Sequence, residues 1–181
     1  MAEIHLITGG GRSGKSAFAQ RLAESLAGPR AYIATCPVID AEMAERVRRH
    51  QEARNGAGWE TIEEPVDLAG AISRAGAFRV LLVDCLTLWA NTRLYEAERQ
   101  GEAFSEESMA ARCRELIESC RAHPGTVLIV TNEVGMGIIP ENAMARRFRD
   151  CSGRMNQLVA AAAGLVTFVV SGIPLELKKS L

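Results

Sequence analysis

The sequence holds 181 residues, 48% hydrophobic and 24% charged, with a formal net charge of −1. That composition is globular, and the near-neutral charge removes the electrostatic case for nucleic acid or an anionic membrane as a general partner. The length suits one domain with a full core, so residues 1–181 are expected to form a single unit.

The opening "MAEIHLITGG" has neither a basic n-region nor a long apolar h-region, so no signal peptide is expected. Within it "EIHLIT" is an apolar strand. It runs into "GGGRSGKS", and "AFAQRLAESLAG" follows as a helix closed by Gly28. "AYIAT" is a second strand, and "DAEMAERVRRHQEARN" a helix with Asp40 as N-cap. "GAGWETIEEP" reads as a loop with room for a short strand. "VDLAGAISRAG" is a helix, and "RVLLVDCLT" a near-continuous apolar strand of the kind buried in a parallel sheet.

Residues 88–122 are mainly helical with a break at "RQGEAFS", and "GTVLIVTNEV" is another buried strand. "GMGIIPEN" is a Gly/Pro loop, "AMARRFRDCSGRMNQLVAAAAG" a long helical region and "LVTFVVSGIPLEL" a last strand with a tail. Strands alternating with helices predict an α/β fold: a three-layer sandwich with a mainly parallel sheet flanked by helices. No run approaches the roughly 20 apolar residues of a membrane span, so no stable membrane insertion is expected. The five cysteines form no CxxC pair and no cluster at zinc spacing, which fits reduced thiols and a cytoplasmic protein.

Gly9, Gly14, Lys15 and Ser16 match GxxxxGK[ST], with a strand before and a helix after. Glycines at Gly9, Gly10, Gly11 and Gly14, with Arg12 and Ser13 between, let backbone N–H groups converge on phosphate oxygens at a helix N-terminus. Lys15 would reach the β- and γ-phosphates and Ser16 would ligate Mg²⁺. The fold is therefore expected to be a P-loop NTPase of RecA-like type. Such a site needs a second carboxylate at a neighbouring strand end. Asp84, closing "RVLLVD", supplies it, directly or through a bound water.

Met43, Val47, His50 and Arg54 fall on one helical stripe, so His50 faces inward or toward a cleft. It reads either as a partly buried structural histidine or as a nucleophile. Neutral imidazole attacks phosphorus to give a phosphoramidate, and nearby arginines would both depress its pKa and hold phosphate oxygens. The stretch by itself leaves both readings open. His5, in the first strand, is expected to be structural, and His123 precedes Pro124 in a loop with no evident partner.

The chain resembles the bifunctional adenosylcobinamide kinase/adenosylcobinamide-phosphate guanylyltransferases of cobalamin biosynthesis. The resemblance covers nearly the whole chain and rests on "TGGGRSGKS", "YIAT", "DAEMAERVRRHQEAR" and "WETIEEP". It is densest in "TNEVGMGIIPENAMARRFRDCSGRMNQLVAAAA" and closes with "VSGIPLELK". It implies two reactions. ATP or GTP first phosphorylates the hydroxyl of the aminopropanol arm of adenosylcobinamide. GTP then gives GMP to an enzyme histidine, and adenosylcobinamide-phosphate displaces it as adenosyl-GDP-cobinamide.

The family's R-x-x-x-H element maps the nucleophile onto His50, with Arg46 before it. The resemblance also carries nucleotide contacts to Gly9 through Ser16, to Ala34, Thr35 and Cys36, to Gln51, Glu52, Ala53 and Arg54, and to Glu63 and Asp84. A carboxylate accepts from both N1–H and N2–H of guanine, which suits Glu63 as base reader. Asn132 and Glu133, at the carboxyl edge of the sheet, would either shape the corrinoid or triphosphate pocket or cap a tight loop, and Arg146, Arg147 and Arg149 form a basic helix face for substrate phosphate, a neighbouring subunit or solvent. The family implies a homotrimer acting on nucleotide and corrinoid. Some members carry Glu in place of Asp84, and Asp in place of Gly164. A simple small-molecule kinase needs no covalent histidine, and a non-catalytic NTP-binding module needs no corrinoid turnover. Those are the two rival readings.

Overall fold

A computed structural model describes residues 3–36, 45, 48, 52, 54 and 56–179. The strands are β1 (Glu3–Thr8), β2 (Arg30–Ala34), β3 (Trp59–Glu63), β4 (Val80–Asp84), β5 (Thr126–Val130), β6 (Leu165–Val170) and β7 (Ile173–Lys179). The helices are α1 (Lys15–Ser25), α2 (Leu68–Arg74), α3 (Leu86–Arg99), α4 (Glu106–Ala122) and α5 (Ala143–Ala162). The seven strands form one sheet in the order β3-β2-β4-β5-β1-β6-β7, parallel throughout except for the β6–β7 pair.

Alternate side chains of the same strands feed two separate cores, as the period-2 geometry of a strand requires. Ile4, Leu6, Ile33, Leu81, Val83, Val127 and Ile129 pack with residues of α2, α3, α4 and α5. Ile7, Tyr32, Val80, Leu82, Leu128 and Val130 pack with Ala19 and Ala23 of α1. A sheet buried on both faces needs apolar residues at every position, which is why β4 and β5 read as unbroken apolar runs. The expected three-layer α/β P-loop fold is the one observed, with α1 on one face and α2–α5 on the other.

Side chains at the element ends fix where the helices start. Asp67 accepts from Gly70 N–H to begin α2. Ser105 and Ser108 exchange bonds as a capping box at α4. Asn142 accepts from the N–H groups of Met144 and Ala145 at α5. Only α1 among these starts on a glycine, Gly14, with no side-chain cap.

One segment takes the short strand that the sequence left open, and another differs from the expectation. "WETIE" is a regular parallel strand, because pairing with β2 over its whole length supplies the hydrogen bonds its polar residues could not predict. "LVTFVVSGIPLEL" is not one strand with a tail but a hairpin. Ser171 and Gly172 both take positive φ (52° and 80°), and a two-residue turn with that backbone returns the chain antiparallel as β7.

Candidate active site

In a parallel α/β sheet the strand ends at the carboxyl edge are brought level by register, and there they collect residues distant in sequence. Ala34 lies opposite Glu63 on one side and Asp84 on the other, and Asp84 lies opposite Val130, which in turn pairs with Ile7. The end of β1, where the phosphate loop begins, thus shares an edge with Ala34, Glu63 and Asp84. Four of the sequence motifs converge on this edge.

The loop from Gly9 to Ser16 is held from both sides. Gly9 O accepts from Glu133 N–H (3.1 Å), and Ser13 O accepts from Gly172 N–H (2.8 Å). Lys15 is buried and its Nζ donates to Gly10 O at 2.9 Å, which folds the lysine back over the loop. Gly14 has φ 91°, and Arg12 takes the same left-handed region at φ 57°. A non-glycine residue held there is strained and marks a loop whose backbone direction matters. A Cβ on Gly9 would lie 2.3 Å from Val169 O and 2.8 Å from Ser13 Oγ, so the loop is packed against β6 with no room for a side chain.

The residues after β2 form the second wall. Thr35 is fully buried. Its Oγ1 donates to Cys85 O (2.7 Å) and accepts from Cys85 N–H (2.8 Å), tying the ends of β2 and β4 together beyond their last strand pair. Ala34 and Cys36 on either side are half-buried. The Asp84 Oδ2 accepts from Tyr32 Oη at 3.0 Å, leaving Oδ1 with no hydrogen bond among the described residues. Burial and the neighbouring Asp84 carboxylate push the Tyr32 phenol well above its ordinary pKa, so it is a hydrogen-bond donor at all physiological pH.

Arg54 is 4% exposed, and its Cζ lies 3.6 Å from the centroid of the Tyr32 ring. Its Nε and Nη1 are buried with no hydrogen-bond partner among the described residues. A guanidinium ordinarily finds acceptors when buried, which sets this one apart. Glu52 is exposed and pairs with Arg48, which also holds Glu45 at 2.8 Å. Glu63 is exposed at the end of β3. His50, Gln51 and Ala53 lie outside the described residues.

Tyr32 and the Ser171–Gly172 turn belong to this edge without being among the expected site residues. Tyr32 reads as one more apolar strand position, and only the β2–β4 register shows that its hydroxyl meets Asp84. The Ser171–Gly172 turn that braces the phosphate loop lies some 160 residues from it in sequence. Beyond β5, Glu133 takes hydrogen bonds from Thr8 Oγ1 (3.0 Å) and from Asn156 Nδ2 of α5 (3.0 Å). The loop that follows exposes Met136, Ile138 and Ile139, with Ile138 97% accessible.

His5, His123, Arg146 and Arg149 have partners within the fold. His5 Nε2 bonds Thr167 Oγ1 at 2.7 Å inside the sheet. His123 Nδ1 accepts from Gly125 N–H (3.1 Å), so its Nε2 carries the proton and faces Ala75 O. Of the basic helix face, Arg146 donates to Pro140 O (2.9 Å) and Arg149 pairs with Asp150 (2.8 Å). Cys85, Cys113, Cys120 and Cys151 are buried and Cys36 half-buried, and none forms a disulfide among the described residues. No helix among the described residues is long and apolar enough to cross a membrane.

Comparison with known proteins matches the chain to one family. Residues 5–177 match the family described as cobinamide kinase / cobinamide phosphate guanyltransferase. The chain is 41% identical over 174 residues to the bifunctional adenosylcobalamin biosynthesis protein CobP of Pseudomonas aeruginosa, covering 96% of each chain. It is 40% and 42% identical to the bifunctional adenosylcobalamin biosynthesis proteins CobU of Escherichia coli and Salmonella typhimurium. Each match covers 96% of this chain and 98% of the relative. With a P-loop, a strand-end carboxylate and near-complete coverage in agreement, the chain belongs to the cobinamide kinase / cobinamide phosphate guanyltransferase family.

Proposed function

We propose that the chain carries out two successive transfers on one corrinoid. The γ-phosphoryl group of ATP or GTP goes to the hydroxyl of adenosylcobinamide, and GMP from GTP then goes, by way of His50, to the adenosylcobinamide-phosphate so formed. The observation that carries the reading is the shared edge on which the phosphate loop, Asp84 and Glu63 meet, in a chain of this family.

Loop N–H groups and Lys15 hold the triphosphate, and their fixed positive charge is aimed where negative charge builds during transfer. The Arg54 guanidinium, with two unpaired donors, takes a phosphate oxygen. Ser16 and Asp84 offer a hydroxyl and a carboxylate oxygen, the hard donors that Mg²⁺ accepts alongside phosphate and water. Mg²⁺ bound there supplies charge neutralisation on the phosphate oxygens. Thr35 and Tyr32 keep the Asp84 end of β4 in place.

In the second transfer a His50 ring nitrogen attacks the α-phosphorus of GTP. The bond from that phosphorus to the α–β bridging oxygen breaks, and pyrophosphate leaves. A phosphate oxygen of the corrinoid then attacks the same phosphorus, and the P–N bond breaks. Glu63 reads guanine through its two N–H donors. The chain works as one domain, as a cytoplasmic homotrimer.

The first transfer is tested by supplying adenosylcobinamide and [γ-³²P]ATP with Mg²⁺. Label is expected in the corrinoid with wild type and not with Lys15→Ala. Wild type that binds ATP yet labels no corrinoid would contradict the kinase reading.

A further inference from the structure

The Glu133 carboxylate is anchored more heavily than a loop residue needs. Its N–H donates to Gly9 O at the start of the phosphate loop (3.1 Å). Thr8 Oγ1, from the last residue of β1, donates to Oε1 at 3.0 Å. Asn156 Nδ2, from α5, donates to the same Oε1 at 3.0 Å and to Asn132 O at 3.1 Å. Asn156 is itself fixed, because its Oδ1 accepts from Thr131 Oγ1 at 2.8 Å. Thr87 Oγ1 of α3 accepts from Asn132 N–H at 2.7 Å. Side chains from β1, α3 and α5 thus set the position of one half-buried carboxylate.

All of this uses one oxygen. Both side-chain bonds are donations into Oε1, and an amide oxygen would accept them equally well. Oε2 has no hydrogen bond among the described residues. The tie between β1 and α5 therefore needs an acceptor at this position but no charge and no second oxygen. What remains is an ionisable oxygen held in a fixed direction, next to the loop that grips the terminal phosphates.

The two transfers differ in what they ask of such a group. The guanylyl acceptor is a phosphate, already an anion. The phosphoryl acceptor is a neutral alcohol, which must lose its proton as it bonds to phosphorus, and a positioned carboxylate is the usual recipient. Asp84 is engaged by Tyr32 and placed to serve the metal.

We propose that Glu133 is the general base of the kinase step, with Oε2 accepting the hydroxyl proton of the corrinoid arm. The hydroxyl oxygen bonds to the γ-phosphorus, and the bond from that phosphorus to the β–γ bridging oxygen breaks. The nucleoside diphosphate leaves with the electron pair, and the proton passes from Glu133 to water. This rests on the kinase reading above.

The test is Glu133→Gln, which keeps the acceptor for Thr8 and Asn156 and removes the base. Corrinoid phosphorylation with ATP and self-labelling with [α-³²P]GTP are measured side by side in wild type and variant. Phosphorylation is expected to fall about 100-fold or more, and the acid limb of its kcat/KM–pH profile to disappear. Self-labelling should stay within about threefold of wild type, as two transfers with different proton demands require. Phosphorylation retained by the variant would overturn the base assignment alone. So would a parallel loss of both activities, which is what a collapsed phosphate loop gives. A wild type that phosphorylates no corrinoid would overturn the kinase reading and the base with it.

Discussion

Arg54 sits over the ring of Tyr32, its Cζ 3.6 Å from the centroid, while the hydroxyl of the same tyrosine donates to Asp84 at 3.0 Å. One side chain therefore joins the strand-end carboxylate to a guanidinium whose Nε and Nη1 have no partner among the described residues. A buried charge with unpaired donors costs stability, and the stacking offsets part of that cost. Arg54→Met should leave unfolding free energy within about 1 kcal/mol of wild type. It should raise the Kd for GTP about tenfold or more, the loss of one charge-assisted contact. Chemical denaturation and a GTP titration check the two arms. A large stability loss with unchanged GTP affinity would make Arg54 a core residue instead.

Removing the Tyr32 hydroxyl tests the other end. One hydrogen bond to a charged group is worth roughly 1.5–3 kcal/mol. Tyr32→Phe should therefore free Asp84 to wander and raise the Mg²⁺ concentration for half-maximal activity by about tenfold, with kcat at saturating Mg²⁺ little changed. A magnesium titration of corrinoid phosphorylation reads this directly.

Gly9 has no space for a methyl group, since Val169 O would lie 2.3 Å away. That atom is backbone within the sheet and cannot swing aside. Gly9→Ala is expected to cost about 1–3 kcal/mol by overpacking and to displace the loop enough to abolish nucleotide binding. Thermal unfolding with and without ATP tests both, and ATP should raise the Tm of wild type only.

The cysteines offer a footprint of the site. Burial raises Cys85 to about 11 and Cys113 and Cys120 to about 12, so these thiols are scarcely ionised near neutrality. Cys36, half-buried beside Thr35, should be the first alkylated by iodoacetamide at pH 7.5. If residues 34–36 line the nucleotide, GTP should slow that reaction several-fold. Peptide mass spectrometry assigns the modified residue.

Burial lowers the pKa of His5, opposed by Glu3 and Glu176. The unfolded chain then binds the proton more readily than the folded one. Stability is full above the unfolded value near 6.5 and falls as the pH drops below it, by at most about 1.4 kcal/mol per pH unit. Tm measured at pH 7.5 and 5.5 should fall more in wild type than in His5→Asn.

The layered α/β fold and the phosphate loop were legible in the sequence because each rests on local patterns: apolar runs, helix caps, and glycines ahead of Lys15. Asp84 was legible because it ends an apolar strand. What could not be read was lateral order. Parallel register places Ala34 between Glu63 and Asp84, and only that pairing reveals Tyr32 as a partner of Asp84. The brace of Gly172 on Ser13 and the grip of Asn156 on Glu133 are likewise contacts between distant segments. The Ser171–Gly172 turn is hard to read because the flanking residues are apolar on both sides and hide the reversal. His50 became a candidate through the resemblance, since its own stretch fits a structural histidine as well.

The central claim is a covalent GMP–His50 intermediate. Protein is incubated with [α-³²P]GTP and Mg²⁺, wild type beside His50→Ala, then denatured and assayed for bound label. Wild type should carry label that is acid-labile and base-stable, and adenosylcobinamide-phosphate should discharge it as labelled GDP-cobinamide. His50→Ala should carry none. Unlabelled wild type that still binds GTP, or equal labelling of the variant, would contradict the account.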